Sequence, residues 1–144
     1  NLGFPLLDHH ATLNIDTVET VPRDDQAAKG VDSWHTFGPP PPDYSEQVFR
    51  HRLTPSNDGT ASAAVRNPYI GLALTIQWSH ATLPHMFQWK QTGQGAYVVG
   101  IEPANSSAIE GRAVAREQDD LPHLEPGESR SYSLSFSLRE LGRG

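Results

Sequence analysis

Apolar and polar residues alternate with a period of two along two stretches of the chain. In residues 131–138, four serines alternate with Tyr132, Leu134, Phe136 and Leu138. In residues 70–78, one face is small or polar and the other carries Ile70, Leu72, Leu74, Ile76 and Trp78. This period is typical of a strand with one buried and one solvated face. It predicts six core residues: Leu72, Leu74, Ile76, Trp78, Leu134 and Phe136.

Shorter patterns indicate further strands at 11–18, 46–53, 61–66, 86–90 and 96–102. Residues 111–118 fit either a strand or a helical turn. Segments 56–60 and 91–95 have hairpin length, and "EPGE" at 125–128 is a turn signal. Many short strands with Gly/Pro turns predict an all-β sandwich or barrel with antiparallel pairing and little helix.

Composition narrows the choice of partners. The 144 residues suffice for one domain with a core, and the net charge of -6 argues against nucleic acid or an anionic membrane as partner. The chain lacks cysteine, which excludes disulfides and thiolate metal sites and is compatible with the cytoplasm, the predicted location. None of its seven histidines forms the i, i+4 pair of a metalloprotease, so no metal is predicted.

Residues 21–45 form an irregular, proline-rich connection with four consecutive prolines at 39–42. They fit a surface connection. Alternatively, they cross the rim of a binding site, with Trp34 and Phe37 facing a ligand.

Acid/base chemistry is the catalytic chemistry that the sequence favours, since it has no cysteine and no G-x-S-x-G nucleophile motif. Glu102 ends an apolar strand, where a carboxylate is costly unless it is paired or used. In a cleft it can act as a general base, and His51 and Glu46 are candidate partners. Alternatively, Glu102 is a structural carboxylate tied to an arginine or to backbone amides.

The "QWK" stretch joins an aromatic ring to hydrogen-bonding groups, a combination that suits sugar binding. We predict that Trp89 and Lys90 line a sugar site, with Gln88 facing away or acting as a support. Alternatively, Trp89 is structural and the stem of Lys90 covers it.

Several motifs resemble the aldose 1-epimerase-like family with a galactose-mutarotase-type fold, and most closely its bacterial DUF4432 branch. They occur in the order "NLGFPLL", "EQVFRH", "NPYIGLALTIQW", "LPHMFQWKQTGQGAYVVGIEPAN", "GRAVARE" and "LPHLEPGESRSY". The resemblance implies an antiparallel β-supersandwich that binds a monosaccharide or derivative and interconverts its anomers without a cofactor. Glu102 in "VVGIEPAN" matches the family's catalytic base, and Asn105 in the same block is a candidate sugar contact.

The resemblance also implies that part of the site lies elsewhere. Catalytic histidines of the family lie in the N-terminal part, and one precedes a segment like "NLG", with which this chain begins at Asn1. We therefore expect residues 1–144 to be the C-terminal portion of a larger supersandwich, rather than a separate sandwich domain. Its partner would then be the missing N-terminal half, and the isolated chain would be nearly inactive.

Three functions remain open. The first is a mutarotase-like isomerase. The second is a carbohydrate-binding domain without turnover, and the third is a structural β domain of a larger enzyme. A homodimer is kept as a further alternative.

Overall fold

A computed structural model describes residues 1–142 as two four-stranded antiparallel sheets. The strands are β1 (Thr12–Ile15), β2 (Thr17–Pro22), β3 (Gln47–Leu53), β4 (Thr60–Asn67), β5 (Leu72–Ser79), β6 (His85–Gly93), β7 (Ala96–Ala104) and β8 (Leu134–Glu140). Helices α1 (Asp25–Ala28) and α2 (Arg112–Glu117) and a 3-10 helix (Val31–Ser33) are short. The first sheet has the order β1-β4-β5-β8 and the second β2-β3-β6-β7. The all-β, antiparallel prediction is confirmed, and α2 settles 111–118 as helical.

The chain passes between the sheets more often than the sequence pattern indicates. The predicted strand 11–18 is divided at Asp16, so that β1 joins the first sheet and β2 the second. A turn does form at 56–60, where the Ser56 amide donates to the Thr60 carbonyl at 2.9 Å. It connects β3 of the second sheet to β4 of the first, so the predicted hairpin is wrong. Turn residues reverse the chain, but they do not decide which sheet the next strand joins.

The hairpin predicted at 91–95 does form. Strands β6 and β7 pair in register down to Gly93 and Ala96, which leaves a two-residue loop, Gln94 and Gly95. Gly95 has a φ of +83°, a conformation that glycine adopts without steric cost. This hairpin matters for the site because β7 carries Glu102.

The core lies between the sheets. The first sheet contributes Ala61, Ala63, Val65, Ile76 and Trp78, and the second contributes Leu53, Met86 and Val99. The Trp78 indole N–H, which would be costly to bury without a partner, donates to the Leu83 carbonyl at 3.0 Å. The core prediction is therefore confirmed for Ile76 and Trp78.

The other predicted core residues are less buried. Leu72 and Leu74 are half-buried. Leu134 and Phe136 are 42% and 65% exposed, so they are not core residues within residues 1–142, and their burial in a longer protein stays a prediction. Their side chains point to the expected side of the sheet, but no element among residues 1–142 covers β8 there. Within the same residues, no helix has the length and apolar character that crossing a membrane requires.

Candidate functional site

The two faces of the second sheet separate the predicted site residues. Trp89 is paired with Gly100, and Phe87 lies between Arg50 and Glu102, which places Trp89 and Glu102 on the outer face. The inner face, toward the core, is formed by residues of opposite parity, including His51, Gln88 and Lys90. Side chains alternate between the faces of a strand. Trp89 and Lys90, as sequence neighbours, therefore cannot line the same face.

Glu102 folds back over Gly100. A Cβ atom placed on Gly100 would lie 2.6 Å from Glu102 Oε1, 3.0 Å from Asn1 Oδ1 and 3.2 Å from Trp89 Cβ. Glycine leaves room for this close approach, because a Cβ at this position would displace the Glu102 carboxylate. Three side chains thus converge above one backbone position, and "VVGIE" contains glycine for that reason.

The Glu102 carboxylate is exposed. The ion pairs that arginines form within residues 1–142 go to Asp24, Glu46, Glu19 and Glu128, and none goes to Glu102. This favours a carboxylate available to a ligand over one tied to an arginine.

Asn1 is held beside Glu102 by the backbone. The Leu2 amide donates to the Val99 carbonyl at 2.8 Å, and the Val99 amide donates to the Leu2 carbonyl at 2.9 Å. The first residues therefore run antiparallel to β7, and Asn1 reaches the outer face next to Gly100.

A hydrogen-bonded group fixes the indole ring of Trp89. Its Nε1 donates to Glu46 Oε2 at 2.7 Å, and Arg23 Nη2 donates to Glu46 Oε1 at 3.1 Å. The bonds from Trp89 and Arg23 hold the pKa of Glu46 below its ordinary value. Glu46 is therefore held in its carboxylate form and orients the Trp89 ring. The structure places Glu46 beside the predicted sugar platform.

The segment after β7 borders the outer face. Arg50 Nη1 donates to the Ser107 carbonyl at 2.7 Å, and Asp120 Oδ2 accepts from the hydroxyls of Ser106 and Ser107 at 3.0 and 2.9 Å. Burial raises the pKa of Asp120, but the hydrogen bonds from Ser107 and Ser106 outweigh it and the net pKa is lowered. The charged carboxylate thus ties this segment together, next to the Glu102 strand.

His85 is a residue of this face that the sequence analysis did not single out. It is half-buried and paired with Ala104, two residues beyond Glu102. Burial lowers its pKa, which favours the neutral imidazole. The spacing in the sequence was a signal for this position: His85 and Trp89 are four residues apart on one strand, and residues an even number of positions apart lie on the same face.

His51 lies on the inner face, away from Glu102. It is fully buried; its Nδ1 is 3.0 Å from Thr20 Oγ1, and its Nε2 donates to Gln88 Oε1 at 3.0 Å. Burial lowers its pKa to about 4, so the ring is neutral near pH 7. Both ring nitrogens have partners, and the structure does not bring His51 into contact with the outer face.

Lys90 and Trp34 also lie inside. Lys90 Nζ donates to the carbonyls of Ser33 and Thr36 at 2.9 and 2.7 Å, and burial lowers its pKa to about 8. The Trp34 ring is half-buried, with its centroid 4.6 Å from that of His51. Lys90 therefore ties the connection at 33–36 to the sheet, and neither residue faces the outer surface. Phe37, the second aromatic of that connection, is 5% exposed.

Asn105 lies just beyond β7 and is exposed. Its Nδ2 donates to the Tyr132 hydroxyl at 2.6 Å. It is near the end of the Glu102 strand, but its amide group is already engaged.

A cavity is present elsewhere in the described residues. It has a volume of about 550 Å³ and is lined by Phe4, Leu7, Asp8, His9, Pro40 and residues 93–97. It lies at the hairpin end of β7, whereas Glu102 is near the opposite end. The Glu102 site is thus an open face in residues 1–142.

Comparisons with known proteins agree with this architecture. The profile of a domain of unknown function, DUF4432, matches residues 1–138. The fold matches a crystal structure of a protein from Klebsiella pneumoniae subsp. pneumoniae MGH 78578, provisionally described as an aldose 1-epimerase. The match has a TM-score of 0.86 and 30% identity, and it covers 94% of this chain but 36% of the other. No curated protein matches significantly. The chain has an aldose 1-epimerase-like fold and belongs to the DUF4432 family.

Proposed function

We propose that this chain supplies the base and the sugar platform of an aldose 1-epimerase-like site, with Glu102 as the base. The observation that carries the proposal is the convergence of Glu102, Asn1 and Trp89 over Gly100 on an exposed face. Likeness to a protein described as an aldose 1-epimerase supports a sugar as the ligand.

The sugar would stack its C–H face on the Trp89 indole. Aromatic rings supply rigid apolar area, and polar groups placed around them fix the orientation of a ligand. Here the Glu46 carboxylate already holds the indole in place at 2.7 Å, so little freedom is lost on binding. The Asn1 amide beside Glu102 offers a donor and an acceptor for hydroxyl groups.

In the proposed reaction, Glu102 accepts the proton of the anomeric hydroxyl from hydrogen-bond distance. The electron pair of that O–H bond forms the C1 carbonyl, the bond from C1 to the ring oxygen breaks, and an acid protonates the ring oxygen. Rotation about C1–C2 and the reverse steps give the other anomer. Proton transfer is sufficient, so the reaction needs no redox group.

The acid would come from polypeptide upstream of Asn1, as the family resemblance implies. The position of Asn1 beside Gly100 supports this, because polypeptide that precedes Asn1 and continues antiparallel to β7 would run toward Glu102. The N-terminal part of a longer chain is thus the proposed partner. A cytoplasmic location and a homodimer stay predictions.

A carbohydrate-binding protein without turnover is the second candidate. It is favoured by the Arg23–Glu46–Trp89 group, because this group orients the Trp89 ring for binding and needs no general acid to do so. Two measurements on one sample separate the candidates: sugar affinity and the rate of anomer exchange. In a Glu102→Gln variant of an active protein, affinity should persist and exchange should be lost, whereas a Glu117→Gln control on α2 should keep both. A protein that binds sugar with no exchange before substitution supports the second candidate.

A further inference from the structure

A row of large apolar side chains on β8 is uncovered. The exposed fractions of Leu134, Phe136 and Leu138 are 42%, 65% and 62%, and these residues alternate with serines. Isolated exposed apolar residues are common on proteins, but a contiguous row marks a surface that something else covers.

The row belongs to the side of the sheet that forms the core. Phe136 pairs with Ile76 and Leu134 pairs with Trp78. Directly paired residues share a face, and Ile76 and Trp78 are 5% and 3% exposed. Ser137, on the opposite face of β8, pairs with Thr75. The row therefore continues the core of the sandwich beyond the area that residues 1–142 cover.

The same strand also has a free edge. Among the described strands, β8 pairs with β5 alone, at the end of the first sheet. All seven of its residues are exposed. A free edge offers unpaired N–H and C=O groups to another strand. A partner that covers this surface would therefore have to supply both a strand that pairs with the β8 backbone and apolar side chains that pack on the row.

A second copy that pairs through this edge meets only half of this requirement. Edge-to-edge pairing of two β8 strands would extend the sheet within its own plane, and the apolar face would stay uncovered. A larger polypeptide is available in the family, because most of the matched Klebsiella pneumoniae chain lies outside the match, which covers 36% of it.

We propose that the apolar face and free edge of β8 form the docking surface for the remainder of an epimerase-like chain. The partner is a strand-forming segment with alternating apolar residues that pack on Phe136 and its neighbours. This inference rests on the exposed row and on the length of the matched chain. It is independent of whether Glu102 performs catalysis.

Thiol labelling can test the surface, since the chain has no cysteine of its own. Phe136→Cys places a single thiol in the row, and Ser137→Cys places the control thiol on the other face of the same strand. Each variant is prepared as the isolated chain and as a chimera. In the chimera, the chain replaces the matched part of the Klebsiella pneumoniae protein, and any cysteine in the rest of that protein is changed to serine. Maleimide labelling rates are compared after circular dichroism has verified folding.

The proposal expects the Phe136→Cys thiol to react at least ~10-fold more slowly in the chimera than in the isolated chain, as a buried group does. The Ser137→Cys thiol should react at similar rates in both. Equal rates for Phe136→Cys would overturn the proposal. Protection that appears in the isolated chain as its own concentration rises would assign the surface to a second copy instead. A chimera that does not fold also counts against it, because the two parts then do not fit through this surface.

Discussion

Replacing Gly100 by alanine tests whether the position of the Glu102 carboxylate matters. The new Cβ would lie 2.6 Å from Glu102 Oε1, which must move by about 0.8 Å to reach the ordinary contact distance of 3.4 Å. A misplacement of ~1 Å in a reacting group can cost ~10²-fold in rate. We therefore expect anomer exchange by the chimera to fall roughly 10- to 100-fold.

Stability should change little in the same variant. Gly100 has no positive φ, so its backbone conformation suits alanine. The two nearest atoms to the new Cβ, Glu102 Oε1 and Asn1 Oδ1, end flexible side chains, and Trp89 Cβ at 3.2 Å has to shift by only a few tenths of an ångström. Alanine also restricts the unfolded chain, an effect of about 0.4–1 kcal/mol in favour of folding. Exchange is followed by NMR, and melting is followed by circular dichroism.

Gly38→Ala is the matched control, because its Cβ would meet nothing within 4 Å. It should preserve both rate and melting temperature. A folded Gly100→Ala variant with an unchanged rate would refute the inference that the carboxylate above Gly100 takes part in the reaction.

Three further predictions concern the interior. Because the pKa of His51 is lowered to about 4, its unfolded state binds a proton first as the pH falls. The contribution of His51 to stability should therefore be constant above pH 6.5 and fall by about 3 kcal/mol between there and pH 4, and His51→Gln should remove this part of the pH dependence in thermal melts. Lys90→Met should cost about 1–3 kcal/mol, because it leaves two carbonyls without their donor, while sugar affinity measured by titration stays unchanged. Ile76→Ala should cost about 2–5 kcal/mol in urea unfolding, whereas Phe136→Ala in the isolated chain should cost less than about 1 kcal/mol; similar costs would contradict the assigned burial.

The fold class could be predicted from the sequence because period-two alternation reports which side of a strand is buried. The segment 70–78 shows this, since Ile76 and Trp78 are both core residues. Alternation carries no information on strand partners. It could not show that β1 and β2 enter different sheets, or that the turn at 56–60 crosses between them. Nor could it show that the apolar side of β8 would be uncovered in residues 1–142.

The site could be predicted in part. Glu102 was singled out as a carboxylate ending an apolar strand, and Trp89 as an aromatic among polar residues; the register of β6 and β7 brings both to Gly100. Lys90 was grouped with Trp89 by chemistry, although strand alternation sends neighbours to opposite faces. His51 could not be placed without the pairing of β3 and β6, which puts it opposite Met86 inside the sandwich.

The central claim is that Glu102 is a general base, and the rate of anomer exchange measures this most directly. General-base assistance is typically worth ~10²–10⁴-fold, so Glu102→Gln in the chimera should lower the exchange rate by at least ~100-fold. Sugar affinity and melting temperature, measured on the same sample, should change little. A lowered melting temperature with a nearly intact rate per folded molecule would show that Glu102 is a structural carboxylate, and it would contradict the account.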